Sequence, residues 1–170
     1  MIKYRFAFET ELKELSELAQ RTYVEAFGYS FELEDLNAHL AENLSEDSFL
    51  KILTCDKVNV ALENERIIGF IQFGVASGYE EIIGDQDWSI KRLYVKGEHQ
   101  NSGIGSQLIH IALEWMKFHN VKRVLLDVWE RNPGAIRFYQ RFGFIVIGKI
   151  DFYMASGVQS SDDLVMCREL

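Results

Sequence analysis

One stretch constrains the fold more than any other. Trp88 to Val95 reads as a strand, Gln100-Asn101-Ser102-Gly103-Ile104-Gly105 makes a turn, Gly103 to His119 is patterned as a helix, and Val121 to Trp129 is again strand-like. The helix carries Leu108, Ile111, Ala112, Trp115 and Met116 on one face. A strand–helix–strand crossover of this kind is right-handed, and its two strands lie parallel. The second strand has a nearly continuous apolar centre, the pattern of a strand buried on both faces.

The flanking segments are different. Residues 2–8 form a first strand, and Leu12, Leu15, Leu18, Ala19, Thr22 and Tyr23 follow at helical spacing with Thr10 as the expected N-cap and Gly28 as the stop. A second helix covers residues 33–44, and a short third is indicated over 46–53. Val58 to Glu63 and Arg66 to Gly74 read as a hairpin joined by Glu63-Asn64-Glu65-Arg66. Residues 75–86 are a turn region of undefined shape. Asn132 and Pro133 open a short helix that Gly143 closes, and Phe144 to Phe152 and Leu164 to Leu170 are the last two strands. Hairpins around a parallel crossover require a mixed sheet with helices on its faces. With one proline, no linker and no repeat, residues 1–170 read as a single domain.

Composition excludes several classes. The net charge of −8 argues against non-specific nucleic-acid binding and suits a cationic substrate, or serves solubility alone. The N-terminus lacks the unbroken apolar run of a signal peptide, and no segment approaches the roughly 18 apolar residues of a membrane span. A cytoplasmic location without membrane or nucleic-acid partners is therefore expected. Cys55 and Cys167 form no metal or redox motif and should be reduced there. His99, His110 and His119 make no metal-ligand cluster, so no metal is expected.

The glycine turn points to an anion. Backbone N–H groups in the first turn of a helix lack intrahelical partners, and the helix dipole adds positive potential. Glycine lets a ligand come close. A phosphate at this place follows. The dinucleotide motif needs a glycine at 108, where Leu108 stands, and the P-loop needs a lysine that Gly105-Ser106-Gln107 lacks. Alone, Gly-x-Gly is equally well a tight turn before a helix.

The surroundings decide between these. Leu93-Tyr94-Val95 followed by Gln100-Asn101-Ser102-Gly103-Ile104-Gly105-Ser106-Gln107-Leu108 closely resembles the acetyl-CoA signature of the GCN5-related N-acetyltransferase (GNAT) superfamily. The resemblance continues through Leu125-Asp127-Val128, Asn132, Ala135-Ile136-Arg137-Phe138-Tyr139 and Phe142-Gly143-Phe144. It implies an α/β (α+β) fold with a mixed, mostly antiparallel seven-stranded sheet, a central parallel pair and about four flanking helices. It implies acetyl-CoA as co-substrate, with the pantetheine arm in a V-shaped split beside Leu93, Tyr94 and Val95. The main-chain N–H groups of Gln100, Asn101, Ser102, Gly103, Ile104, Gly105 and Ser106 would wrap the pyrophosphate, with Ala135 and Phe138 also at the cofactor. Asn132 matches the residue that hydrogen-bonds pantetheine, and it also reads as a helix cap. Tyr139 matches the tyrosine beside the thioester sulfur.

The implied reaction is direct attack of a primary amine on the thioester. A backbone N–H near Leu93 or Val95 would polarise the carbonyl, and the Tyr139 phenol would serve as general acid. Many relatives carry a glutamate four residues ahead of the Leu-Tyr-Val leucine, where this chain has Ser89. Ordered water is then the expected route for deprotonation, with Glu80, Glu81 or Asp87 as possible assistants.

The acceptor is less defined. The tail Phe152-Tyr153-Met154-Ala155, a polar loop, then Leu164-Val165-Met166 looks like that of PaiA-type bacterial polyamine (spermidine/spermine) acetyltransferases, apart from Ala155 and the shifted Ser-Asp-Asp stretch. Tyr23, Phe27, Tyr29 and Glu32 would then contact a polyamine. Alternatives are a peptide or protein amine, or a non-catalytic acyl-CoA-binding regulator. An exposed final strand would allow a homodimer.

Overall fold

The computed structural model describes residues 1–78, 82–84, 86–153, 157 and 159–170, with backbone alone at 152 and 159–161. Seven strands form one sheet: β1 (Lys3–Phe6), β2 (Lys57–Glu63), β3 (Arg66–Val75), β4 (Trp88–Val95), β5 (Arg123–Trp129), β6 (Ile145–Tyr153) and β7 (Gln159–Glu169). Five α-helices accompany it: α1 (Leu12–Phe27), α2 (Leu33–Asn43), α3 (Glu46–Cys55), α4 (Ile104–Phe118) and α5 (Pro133–Arg141). The indicated third helix is real, which makes five rather than about four. Ser45 caps it by accepting from the Ser48 N–H at 3.2 Å.

The strand order is β1-β2-β3-β4-β5-β7-β6. Every neighbouring pair is antiparallel except β4 and β5. Those two pair only at Trp88–Val124 and Ser89–Leu125. The hairpin turn between β2 and β3 holds Asn64 and Glu65 at φ 49° and 61°, the left-handed pair that matches the twist of its strands.

Alternation assigns the two faces. Ala61, Ile71, Phe73, Val124 and Leu126 meet Ile104, Leu108, Ala112 and Met116 of α4. Val60, Leu62 and Phe70 meet Leu15, Leu18, Ala19 and Phe49 of α1 and α3 on the other side. Phe49, Phe70 and Phe73 are wholly buried.

Three expectations change. Thr10 does not cap α1: it lies in a 3₁₀ turn, and α1 begins at Leu12. Glu11 does the local work, accepting from the Phe8 N–H at 2.8 Å and from Arg5 Nη1 at 2.9 Å. β7 starts at Gln159, before the predicted Leu164, because β6 pairs with its polar first half; β5 joins only at Asp163, which stands opposite both Trp129 and Ile150. This final strand is therefore interior, and the sheet edge belongs to β6. The edge argument for a homodimer does not apply to β7. Among the described residues no helix is long and apolar enough to cross a membrane.

Asp87 anchors the approach to β4. Its carboxylate accepts from the Gly84 N–H at 2.7 Å and from Arg123 Nε at 3.0 Å on β5. Burial favours the neutral acid, but Arg123 and the Gly84 N–H outweigh it and hold the carboxyl below its usual range. A depressed carboxyl stabilises the fold above the unfolded-state value and loses that contribution as pH falls through the folded value. Asp87→Ala should lower the unfolding free energy by about 2 kcal/mol at pH 7, since it removes the carboxylate partner of Arg123 and leaves its guanidinium only the Ile82 carbonyl. Urea denaturation should show the gap from the unaltered protein narrowing below about pH 4.

Candidate active site

Past Ser89 and Leu125 the central strands stop pairing, and a cleft of about 410 Å³ opens between them. Beyond Ser89, β4 keeps β3 on one edge but no strand on the other. Its outward N–H and C=O groups there have no strand ladder and border the cleft.

The helices that follow the two strands bring their N-termini to this opening. The first intrahelical bond of α4 runs from the Gln107 N–H to the Gly103 carbonyl at 3.0 Å. The N–H groups of Ile104, Gly105 and Ser106 thus precede the helical ladder. Gly103 sits at φ 87°, and Asn101 is also left-handed at 59°. Gly103 is thus required by the backbone. Gly105 is a different case. A Cβ there would meet Phe138 Cζ at 3.7 Å and Val95 Cγ2 at 3.9 Å, ordinary contacts. The protein's own packing accommodates a Cβ at 105, so any further demand for glycine there would have to come from a ligand on the turn. Gln100 differs from expectation: its N–H donates to the Gly97 carbonyl at 3.2 Å, and its side-chain amide to the Val95 carbonyl at 3.2 Å. It shapes the turn, leaving the ligand-facing groups to the residues after it.

Asn132 caps α5, its Oδ1 accepting from the Ala135 N–H at 3.0 Å. That leaves the amide NH₂ as donor for a ligand. Leu93, Tyr94, Asn132, Ala135 and Tyr139 all line the cleft. Val95 lies beside Gly105 and packs with Phe138 on the α4 side. Burial raises the Tyr139 phenol well above its ordinary value, and the charge of Asp127 adds to this. Tyr139 is therefore a protonated donor at neutral pH.

The other wall is aromatic and acidic. Tyr23 lies between Phe27, at 5.0 Å between ring centroids, and His39, at 4.4 Å. Phe27 meets Trp129 edge-on at 6.0 Å. The Trp129 indole N–H is buried with no hydrogen-bond partner among the described residues. Asp127 and Asp163 supply carboxylates to the same cleft. Burial raises the Tyr23 phenol, with Tyr94 and Asp163 adding to it. Burial lowers His39, helped by Arg92, so its ring is neutral near pH 7.

Of the residues predicted to meet the amine, Tyr23 and Phe27 reach the cleft. Tyr29 is 78% exposed, with its ring 6.5 Å from Trp129. Glu32 is exposed at the start of α2 and lies outside the cleft lining. The carboxylates come instead from β5 and β7, which sequence reasoning did not assign to the acceptor. Asp127, a charge interrupting the apolar run from Val124 to Trp129, was the available signal; His39 and Asp163 had none. Ser89, at the usual glutamate position, is buried where the strands still pair. Asp87 is committed to Arg123. Glu80 and Glu81 lie outside the described residues.

The sequence pattern of the acetyltransferase (GNAT) family matches residues 12–144. The chain belongs to that family. A spermine/spermidine N(1)-acetyltransferase of Bacillus subtilis is 30% identical over 87 residues, 51% of this chain and 57% of that protein. The chain thus matches little more than half the length of that relative. An uncharacterized N-acetyltransferase of Mycobacterium tuberculosis is 29% identical over 95% of this chain and 99% of its own. Among solved structures, the PaiA N-acetyltransferase of Thermoplasma acidophilum, in complex with coenzyme A, superposes with a TM-score of 0.82 at 21% identity. That likeness covers 100% of this chain and 99% of the other. The GNAT fold, with its seven-stranded sheet and single parallel pair, is thereby shown for this chain.

The Gly105 geometry is testable. Gly105→Val should weaken acetyl-CoA binding at least tenfold by calorimetry while the melting temperature moves by only a few degrees. Binding within twofold of the unaltered protein would falsify a ligand-imposed glycine.

Proposed function

We propose that this protein transfers an acetyl group from acetyl-CoA to a primary amine of a small polycation, a polyamine such as spermidine. One observation carries the reading: the unpaired edge of β4 opens directly onto a wall of Tyr23, Phe27, Phe31 and Trp129 with the carboxylates of Asp127 and Asp163. Aromatic faces and carboxylates together attract ammonium groups. The chain's charge of −8 favours approach of such an acceptor. The spermine/spermidine N(1)-acetyltransferase activity of the Bacillus subtilis relative supports it.

The residues present suit acetyl-CoA. The N–H groups of Ile104, Gly105 and Ser106 would hold the pyrophosphate, the outward edge of β4 and the Asn132 amide the pantetheine. When bound, the cofactor supplies a thioester that a neutral amine attacks directly, with the CoA thiol as leaving group. Tyr139 holds its proton on the phenolic oxygen and donates toward sulfur; its raised pKa makes that donation a strengthening hydrogen bond more than an early transfer. Ser89 carries no carboxylate and Asp87 is held by Arg123, so neither is the base; the ammonium gives its proton to water in a cleft lined by Asp127, Asp163 and neutral His39. The aromatic wall orients the amine and keeps the remaining solvent away.

Tyr139→Phe should reduce kcat in a CoA-thiol release assay by about 10²-fold, within the range of a lost proton donor. Because the phenol is raised, an alkaline limb due to Tyr139 should lie above about pH 10. A variant with unaltered turnover under chemistry-limited conditions rules out this role. The acceptor is tested in the same assay with polyamines, amino acids, aminoglycosides and peptides. Turnover with peptides but not spermidine identifies a protein acetyltransferase instead, and tight acetyl-CoA binding with no thiol release identifies a regulator.

A further inference from the structure

Two cations stand on the wall of an otherwise aromatic and acidic cleft. Lys91 and Arg92 both line it. They lie at a bulge in β4, where Gln72 faces Arg92 and Phe73 faces Ile90, leaving Lys91 as the extra residue. A cationic acceptor would meet them as like charges.

One carboxylate organises both. Asp56, buried at the junction of α3 and β2, places Oδ1 2.9 Å from Lys91 Nζ. Its Oδ2 accepts from Gln72 Nε2 at 2.6 Å. Gln72 Oε1 in turn accepts from Arg92 Nη1, and Arg92 Nη2 donates to the Asn43 carbonyl at 3.3 Å. The backbone makes room for this carboxylate. A Cβ on Gly74 would lie 1.9 Å from Asp56 Oδ1, so glycine is demanded there by space. Gln72 is 1% exposed and Asp56 9%, so the carboxylate end of the network is screened little by solvent, while the Lys91 side chain is 28% exposed.

We infer that Asp56 is a positioning residue for acceptor selectivity: it holds Lys91 directly, and Arg92 through Gln72, against the sheet and offsets their charge, so that a polycationic amine can occupy the cleft. The inference rests on the polyamine reading above. A plain structural anchor would also be buried and hydrogen-bonded. The difference is that charge masking predicts an effect that grows with the charge of the acceptor and disappears when Lys91 loses its own charge.

The experiment is steady-state kinetics of the full chain with spermidine, with butylamine and with acetyl-CoA varied in turn. Asp56→Asn keeps the size and one acceptor while removing the charge. It should raise KM for spermidine by about tenfold, the scale of one unmasked like charge at intermediate dielectric. KM for butylamine should rise less than about threefold, and KM for acetyl-CoA less than about twofold, since neither carries the additional positive charges. Adding Lys91→Met to Asp56→Asn should return the spermidine KM to within about threefold of the unaltered enzyme, because the unmasked charge is gone. Gly74→Ala displaces the same carboxylate by contact and should reproduce the selective rise; it carries the test should Asp56→Asn fail to fold. An unchanged spermidine KM, an equal rise for all three substrates, or a double variant without restoration overturns the inference. If the unaltered enzyme turns over no polyamine, the acceptor reading falls first and takes this inference with it, a result seen before any variant is made.

Discussion

Two residue pairs, Trp88–Val124 and Ser89–Leu125, are all the pairing that joins β4 to β5, and the site depends on this shortfall. A parallel pair completed along its length would have satisfied the backbone and left no room for a ligand. Here the antiparallel neighbours β3 and β7 hold each strand firmly from the outside. The Asp87–Arg123 ion pair ties the closed end. The strands can therefore separate at the other end without loosening the sheet. Because α4 follows β4 and α5 follows β5, both helices begin at the open end. Asn132 and Tyr139 line the gap for that reason, and Gly105 lies next to Val95 and Phe138.

The two sides of the cleft have opposite chemistry. The side of α4 presents helix N–H groups and suits an anion. The side of α1 and α2 presents aromatic rings, with carboxylates from β5 and β7, and suits a cation. Burial keeps Tyr23 and Tyr139 protonated and His39 neutral. The site thus holds its protons steadily across the neutral range, and its fixed charges lie on Asp127, Asp163, Lys91 and Arg92.

Local patterns were legible where neighbouring residues explain one another. The β4–α4–β5 crossover, the glycine turn and the α5 cap are each set within a few residues, and the structure has them where the spacing indicates. The errors share one cause. Glu11 displaced Thr10 as organiser of the α1 start because Arg5, on a separate strand, reaches it. β7 extended through Ser-Ser-Asp-Asp because β6, a separate strand, pairs with it there, and no local propensity reveals that. Glu32 looked suited to a cation, yet the carboxylates in the cleft come from strands distant in sequence.

By itself, the sequence determined the crossover, the mixed sheet and the glycine turn, because handedness, periodicity and glycine geometry act over short range. Through the family resemblance it also singled out Tyr139, the proton donor of the proposed reaction. Only the tertiary structure decided where β4 and β5 part, which wall is aromatic and acidic, and that Asp56 gathers Lys91, Gln72 and Arg92. Gly74 shows why. Nothing around it in the chain asks for glycine, yet a carboxylate from eighteen residues earlier occupies the space a side chain would take.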